Sequence, residues 1–214
     1  MKLISLGNSC KVRESIDREN CEGQATLIFD WVISNFESVV KIMEHISKKD
    51  ENTIFASSSF KNEGIHINNQ THHCASHNEI LFQSIHDMPS QISFESQIED
   101  LVEKYRRRSR RFRTIVETET EPIHFIYFIS FYQNIPNVDQ MYYFLTHIET
   151  MRGNKNFFIH LLVPPEFHSF RKELYENVIT NQVKLVFMNK DKNIDPFKEQ
   201  RRDLNWETFY EFIS

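Results

Sequence analysis

The chain has 214 residues, of which 40 % are hydrophobic and 19 are phenylalanine, enough for a substantial buried core. No run reaches the roughly 18 consecutive apolar residues of a membrane helix, and the N-terminus lacks the apolar segment and cleavage site of a signal peptide. A net charge of −5 argues against nucleic acid as a partner, and three cysteines argue against a disulfide framework. We therefore expect a cytoplasmic protein with free thiols and no membrane association.

The first half of the sequence predicts a few short elements. A short apolar strand is predicted over residues 2–7, and a helix with Ser9 as its N-cap over residues 9–16. The stretch ATLIFDWVIS, residues 25–34, is too apolar for a loop, and a helix is predicted over residues 36–47. Residues 51–92 are polar and broken, and their alternating fragments predict short strands or a hairpin.

The pattern becomes regular after residue 93. A long helix is predicted over residues 94–118, followed by strands over 123–130, 156–164 and 183–189 and helices over 138–151, 166–180 and 206–213. Short strands that are apolar on both faces and alternate with helices are typical of a parallel sheet. We therefore predict a single α/β domain over residues 1–214, with an irregular insertion at about residues 51–92. Its predicted architecture is a three-layer α/β/α sandwich with a mostly parallel, Rossmann-like sheet.

The sequence LGNSC, at the end of the first predicted strand, contains a candidate nucleophile. Ligands bind outside the carboxyl ends of parallel strands, and Cys10 falls in the first predicted helical turn, where unpaired N–H groups and the helix dipole stabilise a thiolate. Gly7 permits a sharp turn, while Asn8, Ser9 and nearby backbone amides are candidate oxyanion or ligand donors. The structural alternative is that Cys10 is a small buried side chain.

A thiolate nucleophile requires a base, and the candidate is His86 in SIHDMP, which follows a predicted strand end. Asp87 can orient the imidazole only if the chain turns there, which Pro89 favours. Asp30 in FDW is the other candidate acid, because a buried carboxylate requires a partner. Either acid could instead make a structural hydrogen bond or cap a helix.

Four sequence features occur in the order SLGNSC, IFDW, HD and YRRRSRRF, the last just before an apolar strand. In this order they resemble a family described as putative papain-like cysteine peptidases. The resemblance implies that Cys10 is the nucleophile and His86 the base, acting on a peptide or small-molecule substrate. Asp30 or Asp87 would complete the triad. Papain-like folds pair a helix with an antiparallel sheet, whereas the periodicity of residues 123–189 predicts a parallel one.

Six arginines lie between residues 106 and 113, on the predicted helix 94–118. The apolar stripe of that helix leaves positions 108 and 109 unfilled, so Arg108 would approach the core and require an anion. A carboxylate such as Asp30 or a bound phosphate would satisfy it. For the run as a whole, the alternative is a solvated basic face.

Two other functions remain open from these residues. One is a transferase or binding domain for a nucleotide or sugar phosphate, held by the 7–10 loop and the 106–113 cluster through Arg108 or Arg111. The other is a non-catalytic interaction domain in which the motif is structural.

The segment THHCASH, residues 71–77, has metal-ligand residue types but poor spacing. Its adjacent histidines and Cys74 cannot easily converge on one ion, and no second Cys/His pair follows at the spacing of a zinc finger. We predict a polar surface loop there, no metal site and no cofactor. The sequence does not specify an oligomeric state.

Overall fold

A computed structural model of the protein describes residues 2–7, 25–66, 69–129, 135–164, 167 and 180–187. The strands are β1 (Lys2–Ser5), β2 (Val32–Ser34), β3 (Phe60–His66), β4 (Asn69–His77), β5 (Phe82–Ser84), β6 (Ile123–Phe128), β7 (Phe157–Val163) and β8 (Val183–Phe187). The helices are α1 (Phe36–Ser47), α2 (Glu51–Ile54), α3 (Phe94–Thr118) and α4 (Val138–Arg152). The predicted helices 9–16 and 206–213 lie outside the described residues, as does most of 166–180.

Four strands form a parallel sheet in the order β1-β6-β7-β8. All three neighbouring pairs run parallel, and Ser5 at the end of β1 lies opposite Ile126 of β6. Strands that are apolar on both faces suit a sheet that is covered on both sides. The predicted parallel sheet is confirmed, although β1, β6 and β7 are shorter than the apolar runs that predicted them.

A second sheet is antiparallel, in the order β2-β5-β4-β3. The β3–β4 hairpin confirms the strands predicted in this part of the chain. The prediction of a surface loop over residues 71–77 is wrong. These residues belong to β4, and two of them, Cys74 and His77, are buried. The His77 imidazole donates through Nε2 to the carbonyl oxygen of Ile54 at 2.9 Å. Within the described ranges, no group of three His, Cys, Asp or Glu side chains could hold a metal ion.

The three long helices pack on one face of the parallel sheet. Phe125 and Tyr127 of β6 are two residues apart and therefore point to the same face. The Phe125 ring contacts Phe112 of α3 and Phe144 of α4, with centroids 6.1 and 5.5 Å away, and the Tyr127 ring lies 5.0 Å from that of Phe36 of α1. Because all the long helices in the described part of the chain share this face, the predicted three-layer sandwich is not confirmed.

The opposite face of the parallel sheet is also buried. It carries Ile126 and the imidazoles of His124 and His160, whose Nδ1 and Nε2 atoms lie 2.9 Å apart. Burial, together with the positive charge of His124 and Lys184, lowers the pKa of His160 to about 3. His160 is therefore neutral at pH 7, and one imidazole donates its N–H to the other.

Helices α1 and α3 have the bounds that the sequence predicts. The side chain of Asn35 caps α1 by accepting a hydrogen bond from the Ser38 amide at 2.9 Å. The core-facing stripe of α3 includes the fully buried Ser109, and the neighbouring Arg108 side chain is only 12 % exposed, as predicted. In the part of the chain that the structure describes, we find no helix that is both long and apolar enough to cross a membrane.

A largely buried ion pair joins α2 to α3. The guanidinium of Arg113 contacts the carboxylate of Glu51, and the two side chains are 15 % and 8 % exposed. Arg113 also donates to the carbonyl oxygen of Ile46, 3.4 Å away. On the same helix Arg110 pairs with Glu103, but these side chains are 47 % and 52 % exposed.

Glu51→Ala would leave the largely buried Arg113 with only the more exposed Glu117 carboxylate, 4.0 Å from its Nε, so we expect it to lower the free energy of unfolding by about 3 kcal/mol. Glu103→Ala, the matched control, should cost less than about 1 kcal/mol. Urea denaturation at neutral pH measures both values. Equal losses in the two variants would contradict the assignment of Glu51 and Arg113 as a structural tie between the helices.

Candidate active site

The carboxyl end of β1 is closely packed against the segment that leads into β2. The amide of Leu6 donates to the carbonyl oxygen of Ile126 at 2.9 Å, which extends the pairing of β1 with β6. Gly7 then adopts a φ of +82°. A Cβ at this position would lie 2.5 Å from Oγ of Ser34 and 3.4 Å from the carbonyl oxygen of Phe29. Position 7 therefore requires glycine for two reasons: its φ is left-handed, and there is no room for a Cβ.

The next three residues, Asn8, Ser9 and Cys10, lie outside the described residues. Their roles as oxyanion donors and nucleophile stay predictions. The structure does describe two segments that bear on this site: the turn that contains Asp30, which follows Phe29 beside Gly7, and the bend that contains His86, which contacts Trp31 of that turn.

Residues 25–31 form an irregular segment and turn in which residues 27–30 are buried. The expectation that the apolar stretch 25–34 is not a loop is therefore wrong for 25–31 and holds for 32–34, which form β2. The Asp30 carboxylate stabilises the turn by accepting the Leu27 amide at 2.7 Å, and the Asp30 amide donates to the Leu27 carbonyl oxygen at 3.2 Å. Arg111 of α3 donates to the carbonyl oxygen of Thr26 at 2.7 Å. These bonds satisfy backbone groups that burial removes from water. The structural hydrogen bond considered for Asp30 is therefore present.

Trp31 connects this turn to the His86 bend. Its φ of +65° is left-handed, a costly conformation for a bulky side chain. The indole packs edge-on against the His86 imidazole, with centroids 6.2 Å apart and planes at 81°. The sequence predicted no role for Trp31. The one feature that could have indicated a role is a large aromatic side chain directly after an acidic residue in an apolar run.

His86 and Asp87 lie one residue beyond the end of β5, in a bend before Pro89 that confirms the predicted turn. Since β5 belongs to the antiparallel sheet, this pair does not lie at the carboxyl end of a parallel strand, and that expectation is wrong. The imidazole is on an exposed residue, whereas the Asp87 side chain is only 12 % exposed.

Four side chains hold the carboxylate of Asp87. Ser84 and the phenol of Tyr105 each donate to Oδ2 at 2.8 Å, Lys104 lies 3.2 Å from Oδ1, and Nη1 of Arg108 lies 3.4 Å from Oδ2. The Arg108 guanidinium also lies 5.3 Å from the centroid of the Tyr105 ring. Arg108 thus has the protein carboxylate that its position requires, and that carboxylate is Asp87 rather than Asp30.

This environment favours the charged form of Asp87. Burial by itself would raise the pKa of this carboxyl, but Arg108, Lys104 and the hydrogen bonds from Tyr105 and Ser84 outweigh it and hold the pKa below the ordinary 3.8. Burial and the nearby carboxylate raise the pKa of Tyr105 well above 10, so the phenol stays a donor. Lys104, Tyr105 and Ser84 had no predicted role, although a Tyr on an apolar stripe usually needs a partner for its hydroxyl.

Most of the arginine run holds α3 to its neighbours rather than forming a solvated face. The partners are the carbonyl oxygen of Phe55 for Arg106, Asp87 for Arg108, Glu103 for Arg110, the carbonyl oxygen of Thr26 for Arg111, and Glu51 for Arg113. Arg107 is exposed and has no partner within the ranges that the structure describes. The alternative prediction, that the six arginines as a whole form a solvated basic face, is therefore wrong.

Comparison with models of protein families matches residues 1–166 to the family described as "Putative papain-like cysteine peptidase (DUF1796)". The matched range includes Gly7, Cys10, Asp30, His86 and Asp87. Searches of the curated proteins and of the solved structures each found no match.

We expect Gly7→Ala to destabilise the fold more than Gly153→Ala. Both glycines have left-handed φ, of +82° and +71°, but a Cβ at Gly153 would meet no atom within 4 Å. The conformational strain alone should cost about 1 kcal/mol at either site, and the approach to Ser34 should raise the cost at Gly7 to about 2 kcal/mol or more. Chemical denaturation of the two variants tests this, and equal costs would show that the contact with Ser34 does not constrain residue 7.

Asp87→Asn should cost about 3 kcal/mol at neutral pH, because it leaves Lys104 and Arg108 without their carboxylate. The folded-state pKa of Asp87 is lowered, so its contribution is fully present above pH 3.8 and is lost as the pH falls through the folded-state pKa. The difference in unfolding free energy between wild type and variant should therefore shrink below about pH 4. Urea titrations over this range measure it, and a difference independent of pH would contradict the assignment.

Proposed function

The chain belongs to this family, and from that premise we propose that it is a cysteine-dependent hydrolase with Cys10 as nucleophile and His86 as base. The observation that carries the proposal is the contact of Trp31 with His86 beside the close packing of Gly7 against residues 29 and 34. Three motifs that are far apart in the sequence are thus neighbours in the fold.

Chain connectivity supports Cys10 as a member of the same site. Cys10 is three positions after Gly7 in the sequence, and three steps of extended chain span at most about 11 Å. His86 lies on the neighbouring bend and is exposed, so a reagent or substrate can reach its imidazole. The end of a parallel strand is also where α/β sheets bind ligands.

The proposed reaction follows from the chemistry of a thiol beside an imidazole. His86 accepts the proton of the Cys10 thiol, and the thiolate attacks the carbonyl carbon of the substrate. Backbone amides and the Asn8 side chain stabilise the oxyanion of the tetrahedral intermediate. The imidazolium of His86 then donates its proton to the leaving group, and a thioester remains on Cys10. Water, deprotonated by His86, attacks the thioester carbonyl carbon and the C–S bond breaks. The Cys10 thiolate leaves and takes back the proton from the imidazolium, and the acid is released.

We assign Asp87 and Asp30 to positioning rather than to the reacting atoms. The Asp87 carboxylate is bound by four side chains and fixes the bend that carries His86. The Asp30 carboxylate stabilises the turn that places Trp31 against the imidazole. Asp87 therefore supports the orientation of His86 through the backbone of the bend, and Asp30 supports it through the turn that carries Trp31.

The alternative, a site for a nucleotide or sugar phosphate, depends on arginines that would balance the phosphate charge. Arg108 instead pairs with Asp87, and Arg111 donates to the carbonyl oxygen of Thr26. The contacts of the described residues thus favour the hydrolase.

Alkylation measures the reactivity that the proposal requires. At about pH 6, iodoacetamide should modify Cys10 faster than a thiol with the ordinary pKa of about 8.5, and His86→Ala should slow it at least about tenfold. Cys74 is the internal control, since burial and the charge of Glu63 raise the pKa of its thiol. His147→Ala, on α4, is the matched histidine control. Peptide mapping by mass spectrometry gives the rate at each cysteine, and a Cys10 rate unaffected by His86→Ala would contradict the proposal.

A further inference from the structure

Four cations of α3 form one stripe along the helix. Lys104, Arg107, Arg108 and Arg111 have the spacing i, i+3, i+4 and i+7, which places them on the same side of an α-helix. We call these four residues the cationic strip. Arg107 is exposed, and the other three are partly buried.

The cationic strip contacts both segments that surround the proposed site. Lys104 and Arg108 bind Asp87, which is adjacent to His86. One turn further along the helix, Arg111 binds the carbonyl oxygen of Thr26, just before the turn that ends in Trp31. The strip therefore runs alongside the Trp31–His86 contact rather than at a distant surface.

The charge of the cationic strip is only partly compensated. Asp87 is shared by two of its members, and Asp100 lies one turn before Lys104 on the same side of the helix. Glu103 is also near, but its carboxylate pairs with Arg110. In the part of the chain that the structure describes, Lys104 and Arg108 thus share one carboxylate, and Arg107 and Arg111 form no ion pair. This excess of positive charge occurs in a chain whose net charge is −5, so it is a local field rather than a property of the whole surface.

We propose that the cationic strip selects substrates with acidic residues near the bond that is cleaved. The inference rests on the proposed function and specifies its substrate class. Arg107 makes the direct contact, because its guanidinium is exposed and can bind a carboxylate through two parallel hydrogen bonds. Lys104, Arg108 and Arg111 are engaged by the protein and contribute their field.

Peptide binding tests the inference without requiring turnover. The probes are two fluorescent peptides, one alternating Glu with Ala and the other alternating Gln with Ala, added to the full chain carrying Cys10→Ala. Fluorescence anisotropy should show that the Glu peptide binds at least about fivefold tighter at about 50 mM salt. Because salt screens exposed charges, this preference should vanish near about 500 mM. Equal affinities at low salt would overturn the inference.

A pair of variants assigns the preference to the cationic strip. Arg107→Gln should weaken binding of the Glu peptide about two- to fivefold and leave the Gln peptide unchanged. Lys155→Gln removes the same charge from a side chain that is 70 % exposed and lies just before β7, at the opposite end of the parallel sheet from Gly7. The Lys155→Gln control should bind the Glu peptide as tightly as the protein without this substitution. Equal effects of the two variants would overturn the inference, since they would reflect net charge alone.

The two proposals fail in different ways. A Glu-peptide preference together with a Cys10 that iodoacetamide does not modify would support the cationic strip and contradict the hydrolase. A reactive Cys10 without any preference between the peptides would contradict the strip alone. Because Arg107 is exposed, thermal unfolding of Arg107→Gln should match that of wild type, and the two-peptide comparison does not depend on this variant.

Discussion

The carboxylate of Asp87, bound between Lys104, Tyr105 and Arg108 of α3, is the interaction on which the arrangement of the candidate site depends. Helix α3 also packs on both sheets. Its Phe112 lies against Phe125 of the parallel sheet, and Tyr105 lies edge-on against Phe82 of the antiparallel sheet, with centroids 4.9 Å apart. A single helix thus fixes the bend after β5 relative to the end of β1, because it contacts both sheets and binds the bend itself.

Two residues with left-handed backbone conformations lie in the same region, and for Trp31 this conformation is strained. Gly7 and Trp31 both have left-handed φ, and they lie on either side of the packing between the end of β1 and the turn before β2. A bulky residue stays in this conformation only where the surrounding structure compensates its cost. Here the compensation includes the Asp30 hydrogen bonds and the ring contact with His86.

The elements that the sequence predicts well are those whose burial is periodic. Helices α1 and α3 match their apolar stripes to the residue, and the strands of the parallel sheet follow continuous apolar runs. The need of Arg108 for an anion was also predictable, because it occupies a core-facing position. The identity of that anion was not, since Asp87 is 21 residues away in sequence and reaches Arg108 only through the tertiary fold.

The predictions that were wrong also have physical causes. Strand β4 contains THHCASH, whose buried residues are small or polar and find partners such as the Ile54 carbonyl oxygen, so the segment lacks an apolar alternation. The turn over residues 25–31 is apolar without a period, and side chains of Asp30 and Arg111 supply the hydrogen bonds that regular structure would provide. The contact of Trp31 with His86 joins two segments by packing alone, which no local pattern encodes.

We propose that the thiol of Cys10 lies within reach of the imidazole of His86. A bifunctional alkylating agent such as dibromoacetone, whose two reactive carbons flank one carbonyl carbon, tests this claim most directly. The native protein should yield a digest fragment in which Cys10 and His86 are joined, and His86→Ala should yield none. Attachment of the reagent to Cys10 alone, or to neither residue, would contradict the claim.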